Sequence, residues 1–331
     1  MSHHHPGIVS LRVPAGFLVL LGLAAGAGCI KPSPVKKTHY QRGVEYFDGG
    51  AYADAATEFD LACQEKAKDK QSVFNLGLAY LKDGQYAKAV EVYSEYVSLD
   101  PDNAEGFINL AFAQAGAGNT AQADASFEEA IRLDSTYAYP YCACARFHMN
   151  AGSVEGNHKA MELLDRAISV ERQNSTAHYL RGVVLERLGD DTRAAADFEE
   201  AVALDDNNQQ ALVKAASYEC AEGRHQDAVL HYVHAAVLNS KDAEAWLGAG
   251  RAYRQLNNPW LSLQSIWQAQ SILGETADVR KEILLSSLQL SEMEARLIRE
   301  NSAESLAPDF VTDATRYQTA IESALSGSDS K

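Results

Sequence analysis

The stretch VFNLGLAYLKDGQYAKAVEVYSEYVSLDPDN (73–103) decides how the rest of the chain is read. Leu76, Gly77 and Tyr80 fall at helical spacing, the run breaks at Gly84, and Tyr86, Ala89 and Tyr93 resume it before Pro101. Apolar or small residues three and four apart mark one face of a helix. A glycine between two such runs marks a turn. The stretch therefore reads as two short helices joined by a tight turn.

The same design returns in HYLRGVVLERLGDDTRAAADFEEAVALDDNN (178–208), with Gly182, Gly189, Ala194, Phe198 and Ala201. In a step of 34 residues, units begin near positions 36, 70, 104, 138, 175, 209 and 243. The fourth unit is longer, and AGSVEGNHKA (151–160) suggests an enlarged middle turn before the pattern resumes at Ala160, Leu164 and Ala167. This spacing resembles the tetratricopeptide repeat, W-x₂-L-G-x₂-Y followed by A-x₃-F-x₂-A and Pro. The resemblance covers about 36–276. It implies an all-α, right-handed α-solenoid of about seven helix pairs. Gly43, Gly77, Gly182 and Gly250 would let the first helix of each pair approach the second, and Phe59, Tyr93, Phe127, Phe198 and Tyr232 would fill the space around them. The residues after Thr276 space Val279, Ile283, Leu290 and Leu297 helically, which predicts a capping helix over 276–300; a short helix and tail are expected over 301–331.

The N-terminus reads as an address. An apolar run, AGFLVLLGLAAGAG (15–28), is shorter than the ~20 residues a membrane-spanning helix needs. Cys29 follows it directly and IKPSPVKK follows Cys29. That order resembles a bacterial lipoprotein signal, although Gly26 stands where such signals usually carry an aliphatic residue. The resemblance implies a signal peptide over 1–28, lipidation at Cys29, a tether over 29–37, repeats over 38–275 and attachment to the periplasmic face of the outer membrane. Ordinary secretion into the periplasm is the alternative.

With 331 residues and a hydrophobic content of 46%, the chain has ample material for a packed core. Its formal charge of −16 repels a phosphate backbone, so no nucleic-acid partner is expected. No phosphate-binding loop, nucleophile elbow, zinc-protease helix or calcium loop occurs in the sequence. Neither a catalytic residue, a metal site, a cofactor nor a small-molecule substrate is expected. His231 and His234 lie three apart but need a third ligand to hold zinc, and read as exposed polar residues. Cys142 and Cys144 diverge on a helix, so with Cys63 and Cys220 they are expected as buried thiols. The acidic turns GDD (189–191) and LDDNN (204–208) are expected to cap helices.

In tetratricopeptide proteins the first helix of each pair lines the concave face. By that resemblance the groove would hold Tyr40, Phe47, Phe74, Leu78, Leu81, Ile108 and Phe112 in its first half. Tyr139, Arg146, Met149, Tyr179 and Arg187 would follow, with Arg251 and Arg254 at the far end. Chaperone-type members hold a carboxylate with lysines and asparagines where this chain has Phe74, Leu78, Ile108 and Phe112, so an apolar peptide or helix is the expected ligand. The plan of lipid signal plus repeats resembles pilotin-like factors of type IV pilus biogenesis. It implies a scaffold that assists assembly of a membrane complex such as a pilus secretin. An adaptor for peptidoglycan enzymes or envelope proteases is the alternative, and an enzyme subunit is disfavoured because little chain remains for a catalytic domain.

Overall fold

A computed structural model of the chain describes residues 37–66 and 69–301. The expected signal, Cys29 and the tail beyond 301 lie outside the described residues. Among the described residues there are only helices, and they run as consecutive pairs. The first three pairs are α1 (His39–Asp48) with α2 (Tyr52–Glu65), α3 (Lys70–Lys82) with α4 (Tyr86–Leu99), and α5 (Ala104–Gly116) with α6 (Thr120–Leu133). Next come α7 (Ala138–Asn150) with α8 (Val154–Val170) and α9 (Ser175–Leu188) with α10 (Asp191–Leu204). The last two are α11 (Gln209–Ala221) with α12 (His225–Leu238) and α13 (Ala243–Gln255) with α14 (Pro259–Leu273). A single helix, α15 (Ala277–Asn301), packs against the last pair. Each helix packs chiefly on its chain neighbours, and successive odd-numbered helices also touch, which makes an α-solenoid with the odd helices inside.

Local chemistry explains where the helices start and stop. Asp69, Asn103, Asn174, Asn208 and Asp242 each accept a hydrogen bond from a backbone amide in the first turn of an odd-numbered helix. Such a cap contributes about 1 kcal/mol. Asp190, from the first acidic turn, caps α10 through the amide of Arg193 at 3.2 Å. The turn inside each pair needs a left-handed residue: Gly84 has φ 76° and Gly189 has φ 80°, while in the seventh pair Asn257 takes the role at φ 56°.

Packing within a pair rests on missing side chains. A Cβ on Gly77 would stand 2.8 Å from the Tyr93 ring, and one on Gly182 would stand 2.7 Å from Phe198. Ala55, Ala89, Ala123, Ala160, Ala194 and Ala228 are all fully buried on the opposing helix. The aromatics also join one pair to the next. Phe127 meets Phe112 of its own pair at 5.2 Å and Phe147 of the following pair at 5.3 Å. Phe198 bridges Tyr179 and Tyr218 in the same way, at 6.0 and 5.7 Å.

The fourth pair differs from the expected enlarged turn. Its extra residues lengthen the second helix instead: α8 has 17 residues where α6 and α10 have 14. Ser153 accepts from the Gly156 amide at 3.0 Å and starts the helix early. Gly156 is required there, because a Cβ would stand 2.5 Å from the His148 carbonyl oxygen.

At the far end, α15 seals the stack. Val279 is fully buried, and the Ser262 and Ser286 hydroxyls meet at 2.7 Å with both residues fully buried. Glu282 accepts from Arg251 Nε at 3.0 Å and from Arg254 at 3.2 Å. Those two arginines therefore bind the cap and do not serve as free cations of the groove.

Candidate functional site

The inner helices α3, α5 and α7 together wall a cavity of about 680 Å³. Its apolar wall is Leu78 and Leu81 from α3, Phe112 and Ala115 from α5, and Phe147 from α7. Tyr86 closes one side from the start of α4; its ring rests on Gly116, where any side chain would collide with it. Lys82, Asn109, Thr120 and Asn150 supply the polar rim, and Lys82 is the only charged residue in the lining. A mostly apolar hollow with a few polar groups at its edge suits an amphipathic segment. Adjacent helix axes lie about 10 Å apart, so three inner helices offer roughly 20 Å of wall, nearly four turns of a bound helix.

Leu78, Leu81 and Phe112 line this cavity; Ile108 and Met149 do not. Ile108 is fully buried among Ala123, Phe127 and Cys144. It sits one turn before Phe112, and four residues advance a helix by about 400°, which rotates Ile108 some 40° away from the groove into the seam between helices. Met149, 6% exposed, packs in the core with Cys142, Ala145 and Leu164. Its carbonyl accepts from Arg187 Nη1 at 2.8 Å, so Arg187 ties α9 to α7.

Three other expected groove residues, Phe74, Tyr40 and Phe47, pack in the seams between helices with an edge showing. Phe74 is half-buried, with its ring against Tyr93 at 5.8 Å and Tyr96 at 5.1 Å. Tyr40 packs on Phe59 at 5.7 Å and its hydroxyl accepts from Asn75 Nδ2 at 2.9 Å, joining the first two pairs. Phe47 meets Tyr52 edge-on at 5.2 Å. Tyr139 and Arg146 are exposed and Tyr179 is half-buried. Burial raises the phenol pKa of both tyrosines, and the nearby Arg146 cation pulls each back down. Sequence reasoning missed Phe147, Tyr86 and Asn109. The glycine at 116, beside the turn, was the one available sign that a ring lies across α5.

The four described thiols are held in their protonated form by burial. Burial pushes Cys142 and Cys144 up to about 12 and Cys63 up to about 11. A thiol held protonated is a poor nucleophile. Cys63 and Cys220 are half-buried, less enclosed than expected, because each sits at the margin of a pair. His231 is not the exposed group the sequence suggested: its Nδ1 lies 2.9 Å from Glu219, a carboxylate only 2% exposed, and that partner raises its pKa. Among the described residues no group of three or more His, Cys, Asp or Glu is placed to hold a metal ion. No described helix is long and apolar enough to cross a membrane.

Comparison with known proteins agrees with this architecture. A family model described as "TPR repeat" matches residues 77–118, and two described as "Tetratricopeptide repeat" match 104–137 and 154–209. No curated protein matches the sequence. A chain of the APC/C hetero-tetramer Cut9–Hcn1 superposes with TM-score 0.55 at 16% identity, covering 74% of this chain. This chain spans 48% of that one, about half its length. PilF of Pseudomonas aeruginosa superposes with TM-score 0.54 at 18% identity, over 64% of this chain and 95% of its own. PilW, described as a widely conserved type IV pilus biogenesis factor, reaches TM-score 0.49 at 16% identity, over 64% of this chain and 97% of its own.

Proposed function

We infer that this chain, a tetratricopeptide-repeat protein and so a protein–protein interaction scaffold, captures an apolar peptide or amphipathic helix in the hollow between α3, α5 and α7. The observation that carries the reading is the wall of Leu78, Leu81, Phe112 and Phe147 around about 680 Å³ of space. Three successive inner helices converge there, and the lining holds a single charge. A rigid apolar wall needs little ordering on binding, which favours capture of a segment that folds on contact.

The setting we propose is the cell envelope, with a lipid at Cys29 holding the scaffold to the outer membrane. The apolar run that ends at Cys29 supports this. Assistance in assembling a membrane complex, such as a pilus secretin, is the specific form of the proposal; the resemblance of the segment around Cys29 to a lipoprotein signal, ahead of tetratricopeptide repeats, supports it.

Two measurements test these statements. Peptides selected from a displayed library on the full chain are titrated by fluorescence anisotropy. Leu81→Glu with Asn150→Glu should weaken them by about tenfold or more while helix content stays constant. Those positions are chosen because glutamate at Phe74 or Phe112 would break the ring contacts of the core. Unchanged affinity would remove the hollow as the binding site. For the anchor, Cys29→Ser should move the protein from the membrane to the soluble fraction, and unaltered fractionation would rule the lipid out.

A further inference from the structure

The outer helices of the seven pairs can be compared position by position. Five residues after the small residue that packs on the inner helix, the first five pairs carry Asp60, Ser94, Glu128, Asp165 and Glu199. The sixth pair has Val233 there and the seventh has Trp267. The change extends along both helices. α14 contains no charged residue in its 15 positions. Trp260 and Trp267 are 59% and 49% exposed, and Gln264 is exposed between them. On α12, Leu230 and Val237 are also exposed, seven residues apart on one face. Exposed apolar surface of this extent on an otherwise charged protein marks an interaction site.

The pattern on α14 suits a second copy of the same chain. Trp260, Gln264 and Trp267 fall within about 60° of arc, and the two rings are about 10.5 Å apart along the axis. The stripe reads nearly the same in both directions about Gln264. A two-fold axis near Gln264 sets Trp260 of one copy against Trp267 of the other, and the two Gln264 amides beside each other. The carboxamide is both donor and acceptor, so it pairs with itself, and tryptophan faces stack on one another. Charge points the same way: each copy carries a formal −16, and two such copies approach best where neither presents a charge. A membrane-surface helix would carry lysine or arginine beside its apolar face, and α14 has neither.

We propose that this chain forms a two-fold homodimer through the outer face of α14, with Trp260 and Trp267 as anchors and Gln264 at the axis. α14 is about 22 Å long, and a standard interface takes about 800 Å² from each partner, so the neighbouring face of α12 is needed to widen it. The expected dimer is reversible, in the micromolar range.

The test is sedimentation equilibrium on the full chain from about 1 to 200 µM, a range that brackets a micromolar constant. Beside it run Trp260→Glu with Trp267→Glu, and Gln264→Cys under mild oxidation. The parent should pass from monomer to dimer. The double variant should associate at least about 100-fold more weakly at equal helix content, since two buried anchors are removed. Gln264→Cys should yield a covalent dimer on a non-reducing gel that the parent does not yield. A parent that stays monomeric overturns the proposal. So does a double variant that dimerises like the parent, the outcome expected if the N-terminal apolar run drives association. Loss of binding to phosphatidylcholine vesicles in the double variant, with no dimer in the parent, would overturn it in favour of a lipid surface.

Discussion

Replacing Asp197 with alanine should loosen the packing of α9 on α10 within the fifth pair. Asp197 lies on α10 with its side chain 8% exposed. It accepts from Arg181 Nε at 2.7 Å and Nη2 at 2.8 Å, a two-pronged contact, while His178 Nδ1 lies 3.1 Å away. The third nitrogen of Arg181, Nη1, reaches Asp165 on α8 at 2.9 Å. One arginine on α9 therefore fastens the outer helices of two pairs. Removing one partner of a buried ion pair costs about 3–5 kcal/mol. Arg181 is 21% exposed and keeps Asp165, so roughly half that cost, about 2 kcal/mol, is expected to remain. At about 2–4 °C per kcal/mol for a domain of this size, the melting point should fall by about 4–8 °C. Asp197→Asn keeps an acceptor oxygen and should lose less. The assay is thermal unfolding followed by circular dichroism at neutral pH, with Arg181→Ala and the double variant completing a cycle. If Asp197→Ala melts within about 1 °C of the parent, or if the coupling energy is below about 0.5 kcal/mol, the ion pair does not fasten α9 to α10.

Gly182→Ala drives a methyl to 2.7 Å from the buried Phe198 ring. Overpacking costs about 1–3 kcal/mol, and alanine's better helix propensity returns about 1 kcal/mol, so urea midpoints should fall modestly; a rise would mean the ring is free to shift. His231 gains a Glu219 partner that raises its pKa. The stability it adds is complete below the unfolded value near 6.5 and is lost as pH rises through the folded value. His231→Gln should therefore destabilise at pH 5.5 and matter little at pH 9, and equal losses at both would contradict the assignment. Cys142 and Cys144, held up to about 12, should resist maleimide at pH 7.5 until the protein is unfolded, as read by peptide mass spectrometry. Labelling of either in the native protein would show that the pair opens there.

The repeat register was legible because its cause is local. A helix that must approach its neighbour needs glycine or alanine at the contact, as at Gly77 and Ala89, and an aromatic opposite, as at Tyr93. Those needs recur at the repeat spacing and show in one sequence. The groove was less legible because groove and seam lie one helical turn apart. Ile108 and Phe112 look equivalent on a four-residue ladder, yet the 40° between them separates full burial from the cavity wall. The outer face of α14 was not legible at all. Apolar periodicity on that helix serves Leu263 and Ile266 in the core as readily as Trp260 and Trp267 outside, and only the packing separates them.

The seal that α15 makes on the last pair has a consequence for aggregation. Each pair in a stack presents the next with a surface shaped to receive it, so an uncovered final pair would accept the first pair of another molecule. Head-to-tail joining of that kind does not close on itself and grows into a fibre. Glu282, gripped by Arg251 and Arg254, and the buried Ser262–Ser286 contact fill that last receiving surface with the chain's own side chains. The cap thus sets the length of the stack as a fixed count and denies open-ended growth a place to begin.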